Sequence, residues 1–281
     1  MYFLNINKPK GISSFDVIRF LRKKLKIKQI GHSGTLDPLA TGVMQVAVGK
    51  ATKLLDYLDS DKCYSAEIKF GYNTETYDSE GEEIFIKQPD FSESELKECL
   101  NGFLGKTKQI PPIYSAIKIN GKKLCDMARK SPQETIAISE REIEIYSIEL
   151  VEFNKKEYKA KINVACKKGT YIMSLAFDIG KKLGCGAYLT ELKRTKAGNF
   201  LIENSNNLDD EKYKEINPIN ALNNDKYELN NEEFNKIRNG NFIKNLNNFN
   251  NKLLLLTKDN KLIAIATVEN DLIKPKKYFG E

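Results

Sequence analysis

Cys63-Tyr64-Ser65-Ala66-Glu67-Ile68-Lys69-Phe70 alternates with a period of two. Tyr64, Ala66, Ile68 and Phe70 fall on one side and Cys63, Ser65, Glu67 and Lys69 on the other, the pattern of a strand with a single apolar face. The alternation returns over Ile143 to Leu150, and again at Tyr158, Ala160, Ile162, Val164 and Cys166. Helical spacing takes other stretches. Phe15, Ile18, Leu21 and Leu25 follow Ser13 and Ser14, which can cap them. Ser92 and Glu95 form a capping box for Leu96, Leu100 and Phe103, with Gly105 as the stop. Ile172, Leu175, Ala176, Ile179 and Leu183 line one side of a third helix. No βαβ rhythm repeats, so the expected class is α+β, with a mixed, mostly antiparallel central sheet and flanking helices.

The chain's 281 residues exceed one average domain, and 41% hydrophobic with 10% aromatic residues excludes wholesale disorder. Residues 204–251 are rich in asparagine and read as a linker with a short helix. Beyond them, Lys252–Thr257, a turn at Asp259-Asn260 and Leu262–Val268 make a hairpin. The expected division is a main domain over 1–231 and a small β domain over 232–281. Residues 106–133, with Pro111, Pro112 and an Asn120-Gly121 turn, read as an extended basic arm.

Five widely spaced cysteines with no C-x-x-C suggest neither disulfides nor zinc, and His32 is the one histidine. No apolar run reaches about eighteen residues, and Met1 to Lys10 lack the order of a signal peptide. The expectation is a cytoplasmic monomer with reduced thiols, no metal and no membrane association. Net charge is +7, but its distribution says more. Residues 1–58 carry ten basic and three acidic side chains, 59–104 four and twelve, and 105–131 seven and one. Two basic blocks split by an acidic one suggest surfaces for a polyanion, nucleic acid first. Solvated lysine faces are the plainer account.

Gly31-His32-Ser33-Gly34-Thr35-Leu36-Asp37-Pro38-Leu39-Ala40-Thr41-Gly42 sets one carboxylate among three glycines, which allow tight backbone geometry. On spacing alone, Asp37 with Pro38 reads as an N-cap and its N1 proline. His32 reads as a turn residue, and Tyr64 as a core tyrosine on its apolar strand face.

This loop resembles the catalytic motif of the bacterial tRNA pseudouridine synthases of the TruB family. Lys8-Pro9-Lys10-Gly11-Ile12-Ser13-Ser14 is similar to the family's N-terminal motif. Tyr64 with Gly71, Thr74, Thr76, Asp78 and Gly81 is similar to its second signature, and Lys168-Gly169-Thr170-Tyr171-Ile172 to its tyrosine-bearing one. Pro111 to Lys118 resembles the arm that grips the T-loop, and Lys274 to Phe279 the close of a small PUA domain. The resemblance implies a pseudouridine synthase fold with a C-terminal PUA-like β domain. It also implies isomerisation of the T-loop uridine at position 55 of tRNA, with no cofactor.

By the same resemblance Asp37 is the essential carboxylate, and attack on C1′, addition to the base and removal of a sugar proton stay open for it. His32 fills the gap left by the extruded base, and Tyr64 packs on the uracil. Tyr171, Lys8 and Leu192 complete the substrate-binding set. Two residues after Tyr171, where the family usually carries a basic partner for the aspartate, stands Met173. Lys168, Lys193 and Arg194 are the candidates to replace that charge. Were none to do so, the alternative is a tRNA-binding folding chaperone with weak or no catalysis. Cys125 stands where relatives carry an aromatic residue in the arm.

Overall fold

The computed structural model describes residues 1–113, 138–250 and 253–280, with the backbone of 118–119 and 122–123. It opens with β1 (Tyr2–Lys8), α1 (Ser14–Leu25), β2 (Ile30–Ser33), β3 (Thr41–Val48) and β4 (Lys62–Phe70). Next come β5 (Tyr72–Asn73), β6 (Ile84–Phe85), α2 (Glu93–Asn101), β7 (Gly105–Gln109), β8 (Lys118–Ile119) and β9 (Lys122–Lys123). β10 (Arg141–Asn154), β11 (Lys159–Cys166), α3 (Ile172–Lys182), β12 (Ala187–Ala197), β13 (Phe200–Leu201) and β14 (Asn206–Asn207) follow. The last part holds α4 (Pro218–Ala221), β15 (Asp225–Glu228), α5 (Asn231–Arg238), β16 (Ile243–Lys244), β17 (Leu254–Lys258), β18 (Lys261–Glu269) and β19 (Leu272–Tyr278).

Ten strands make the main sheet, in the order β14-β1-β3-β12-β4-β11-β10-β7, with β13 on β12 and β2 on β3. β1–β14 and β3–β12 are parallel, and the other pairings are antiparallel. The fold is thus α+β with a mixed, mostly antiparallel sheet. β4 lies inside it, between β11 and β12, and its Tyr64, Ala66, Ile68 and Phe70 are buried as the alternation requires. They pack with Leu96 and Leu100 of α2 and with Ile172, Leu175, Ala176 and Ile179 of α3. Each buried Leu, Ile or Phe among them contributes roughly 1.5–3 kcal/mol, and each alanine less.

The apolar run of β3, interrupted by the buried Gln45, has a different cause. Val43 and Ala47 face one core cluster, while Met44, Val46 and Val48 face another, so both sides of this strand are covered. α1 is capped by Ser13, in a capping box with Asp16, and buries Val17, Ile18 and Leu21. Its stripe is rotated from the expected one. Phe15 stays 55% exposed, under the guanidinium groups of Arg19 and Arg22 at 5.4 and 5.9 Å. α2 has the expected Ser92–Glu95 box but ends at Asn101, with Gly102 as its C-cap.

The second sheet has the order β15-β17-β18-β19-β16. Its β17–β18 hairpin turns at Asp259 and Asn260, both with positive φ, which these two side chains tolerate well. β15 pairs in parallel with β17, so this sheet begins ahead of residue 232. Leu255, Leu262, Ile265 and Phe279 pack in one cluster with Phe3, Val43 and Ala47, and this joins the two sheets. Of the expected arm, 106–109 belong to β7; Tyr114 to Ile117, Cys125 and most of the remainder lie outside the described residues. No helix among the described residues is long and apolar enough to cross a membrane.

Candidate active site

β2 and β3 are antiparallel neighbours, and the loop from Gly34 to Ala40 joins them. Three apolar plugs, Leu36, Leu39 and Ala40, are buried and hold the loop down. The buried Ser14 hydroxyl donates to the Leu36 carbonyl and accepts from its N–H, both at 2.8 Å. Gly11 N–H donates to the Pro38 carbonyl at 2.8 Å. Below, the fully buried Lys8 ammonium donates to the carbonyls of Ile12, Pro9 and Pro38 at 2.7, 2.9 and 3.4 Å. With its neighbours turned inward, Asp37 is left accessible to solvent. No helix starts at Asp37, and Pro38 continues as a bend, so the residue is not the cap that its spacing suggests.

Asp37 stands on the wall of a cavity of about 280 Å³. That is at the small end for ligand sites, room for a single nucleotide unit. Gly34 and Leu36 of the loop, Lys62 and Tyr64 of β4, Tyr171 and Met173 at the start of α3, and Leu192 and Arg194 of β12 are among the other residues of the wall. Gln109 of β7 fixes the start of α3 by two bonds to the Tyr171 backbone, accepting at 2.9 Å and donating at 3.0 Å. Four residues expected at the site therefore meet here: Asp37, Tyr64, Tyr171 and Leu192.

Two do not line the cavity. Lys8 braces the loop from beneath. His32 lies half-buried on β2 with its Nδ1 buried and unpaired among the described residues. Burial, helped by the Arg194 charge, pushes the His32 imidazole below its ordinary value, toward the neutral form.

Arg194 was one of three candidates for the missing charge, and it is the one that faces the cavity. Its side chain is wholly buried: Nε donates to the Val43 carbonyl at 2.7 Å and Nη2 to the Gly34 carbonyl at 2.9 Å. Nη1 is buried with no acceptor of good geometry among the described residues. Lys193 points into a separate groove with Lys10 and Glu67, and Lys168 is exposed. Although Asp37 reaches solvent, the cavity wall around its carboxyl desolvates it in part and raises it above its usual range; Asp78 and Glu80 add to this, while Lys8 and Arg194 oppose it. Burial pushes the Tyr64 phenol up to about 12, against the pull of Arg194. Lys62 is driven down to about 8 by burial and by Arg194.

Lys62 did not enter the expected site, although its signal was present. Extending the alternation of β4 by one step puts Lys62 on the same side as Tyr64. No group of three or more His, Cys, Asp or Glu able to hold a metal occurs among the described residues.

A family profile for the N-terminal domain of the TruB family pseudouridylate synthases matches residues 22–172. The chain belongs to the TruB family. A second profile, for the tRNA pseudouridylate synthase B C-terminal domain, matches residues 174–217. The chain is similar to the tRNA pseudouridine synthase B of Fusobacterium nucleatum, 46% identical over 287 residues and covering 98% of each chain. It is 48% identical to that of Clostridium tetani over 211 residues, 74% of this chain and 71% of the relative. A solved H/ACA RNP bound to a substrate RNA containing 2′-deoxyuridine shares the fold, with a TM-score of 0.75 at 21% identity over 100% of this chain and 85% of that one. The loop, the cavity and the buried arginine are thus features of a TruB pseudouridine synthase. Arg194 and Asp37 line the same cavity, and the full-length relative is named as a synthase, which does not favour a non-catalytic chaperone.

Proposed function

We propose that this TruB enzyme isomerises the uridine at position 55 in the T-loop of tRNA, with Asp37 as the reacting carboxylate. The C1′–N1 bond breaks, the uracil turns, C1′ bonds to C5, and the C5 proton leaves as N1 gains one. The exchange is internal to the nucleoside, so it consumes no oxidant and no group donor. Extruding the base from a folded loop costs a few kcal/mol. The cavity contributes a stacking face from Tyr64 and apolar walls from Leu192 and Tyr171. His32, just ahead of the loop, fills the place the base has left. With its phenol near 12, Tyr64 keeps its proton at neutral pH and acts as a donor toward the base.

One observation carries this reading: among the described residues, Asp37 is the single acid lining a nucleotide-sized cavity, and the wholly buried Arg194 lines the same cavity. Attack on C1′, addition to the base and removal of a sugar proton all require such an ionised carboxylate held against the nucleotide. Arg194 acts as a positioning residue, and Lys8 holds the loop rather than the RNA. Residues 1–224 form the catalytic part, with 106–133 gripping the T-stem-loop, and the PUA-like unit, which starts with β15 at Asp225 and not at the expected 232, binds the acceptor side of the tRNA. The enzyme works in the cytosol as a monomer. Incubation with unmodified tRNA, followed by carbodiimide treatment and primer extension, is expected to give a stop at the T-loop uridine. Binding of tRNA without that product would overturn the assignment.

A further inference from the structure

Lys62 and Tyr64 are two residues apart on β4 and reach the same cavity. The Lys62 ammonium makes one hydrogen bond, to the Ser60 carbonyl at 3.3 Å, and no carboxylate lies within 4.0 Å of it among the described residues. Two of its three donors are therefore unused. A Cβ built on Gly34 would stand 3.5 Å from Lys62 Nζ and 3.3 Å from Arg194 Nη1, so both cations converge on the start of the catalytic loop. Against them the cavity wall offers, among the described residues, a single acid, Asp37. The N-terminus of α3, which has no side-chain cap, adds partial positive charge to the same wall. This cavity holds one positive charge more than a neutral nucleoside can answer, and a phosphodiester supplies one negative charge.

We propose that Lys62 binds a phosphodiester next to the extruded uridine and so positions the nucleotide against Asp37. Arg194 cannot do this, because it is wholly buried and committed to the carbonyls of Val43 and Gly34. Lys62 is only half-buried on the cavity wall. The groups that act on it are Arg194 of β12, Cys166 of β11, Lys168 and Asp61, and burial with Arg194 outweighs the acids. An arriving anion relieves that strain and holds the proton on the amine. Base contacts specify, whereas phosphate contacts set register; Lys62 belongs to the second kind.

This inference rests on the synthase reading, and one experiment separates the two. Full-length wild type, K62M and K62R are assayed on a T-stem-loop RNA, and on the same RNA with a neutral methylphosphonate at either phosphodiester flanking the target uridine. Turnover of the ordinary RNA by wild type tests the synthase reading alone. K62M is expected to lose about ten- to a hundredfold in kcat/KM on that RNA, with K62R recovering most of it. One of the two neutral linkages is expected to cost wild type a similar factor and K62M nothing further. The alkaline limb of the wild-type pH profile, near 8, is expected to be absent in K62M. Equal melting temperatures would show that the loss is not structural. Unchanged kcat/KM in K62M, or losses that multiply at both linkages, would overturn the proposal.

Discussion

Gly42 lies directly on the backbone of Arg194. The two are register partners where β3 runs parallel to β12, and a Cβ on Gly42 would overlap the Arg194 carbonyl and amide. Gly42 also has φ of 102°, a conformation that L side chains rarely adopt. The close approach brings Arg194 Nε to the carbonyl of the next residue, Val43. The buried cation of the site is thus placed by main-chain contact. G42A is expected to cost about 2 kcal/mol or more through combined strain and overpacking, and to lower Tm by at least about 4 °C. Calorimetry together with kcat/KM checks this. An unchanged Tm would mean that the two strands separate freely at this point.

The forked guanidinium of Arg194 serves two carbonyls, and its Nη1 stands where the catalytic loop begins, 3.3 Å from the place of a Cβ on Gly34. A lysine ammonium has one nitrogen and cannot reach all three directions. R194K is therefore expected to lose about a hundredfold or more in kcat. In R194M, removing the charge that favours the ionised carboxyl moves the acid limb of the pH profile upward. Folded, soluble R194K with near-normal turnover would remove Arg194 from the mechanism.

Asp37 links activity and stability in opposite directions. Its carboxyl is raised above the usual 3.8 in the folded protein, so the folded state holds this proton more tightly than the unfolded chain. Stability from this group therefore falls as pH rises from 3.8 through the raised value, and stays lower above it. Activity needs the ionised form and disappears as pH falls through that same value. D37N is expected to abolish turnover and to raise Tm at pH 7 only slightly, because the carboxyl reaches solvent, with the difference vanishing below the unfolded value. Melting curves at several pH values, read beside single-turnover assays, test the pair. A less stable D37N at neutral pH would contradict the desolvation argument.

Periodicity located β4, β10, β11, α3 and the β17–β18 hairpin, because each buries a face repeating every two or 3.6 residues. It did not locate the residues whose roles come from neighbours distant in sequence. Arg194 earns its place only because β12 pairs with both β3 and β4, so that one side chain meets Gly34, Val43 and Tyr64. Lys8 looked like a substrate ligand in a motif, yet its ammonium is spent on three carbonyls that shape the loop. Phe15 fitted the helical stripe but is displaced outward by the rotation of α1 that buries Val17. Asp37 kept the local signature of a cap, and only the tertiary hold on Leu36 and Pro38 turns it into a cavity wall.

Ser14 shows how that hold is made. Its hydroxyl satisfies both the N–H and the carbonyl of Leu36, the residue before Asp37. S14A leaves two buried main-chain groups unpaired, at about 1–3 kcal/mol. Tm is expected to drop by several degrees, about 2–4 °C for each kcal/mol. Because the freed segment carries Asp37, kcat falls as well, while S14T, which keeps the hydroxyl, recovers part of it. Loss of stability with fully retained kcat would show that Leu36 does not govern the carboxylate.

Met173 offers the most direct check on how Asp37 is balanced. It is 7% exposed on the cavity wall, which among the described residues also carries Lys62, Arg194 and a single acid, Asp37. A guanidinium placed here by M173R must be buried beside two like charges, so Tm is expected to fall. The added cation also favours the ionised carboxyl, which moves the acid limb of the pH profile downward. Turnover at neutral pH is expected to change by less than about tenfold, since Arg194 already supplies the opposing charge. A rise beyond about a hundredfold would mean that Asp37 lacks an effective partner in the native chain, and that the buried arginine is a strut between strands.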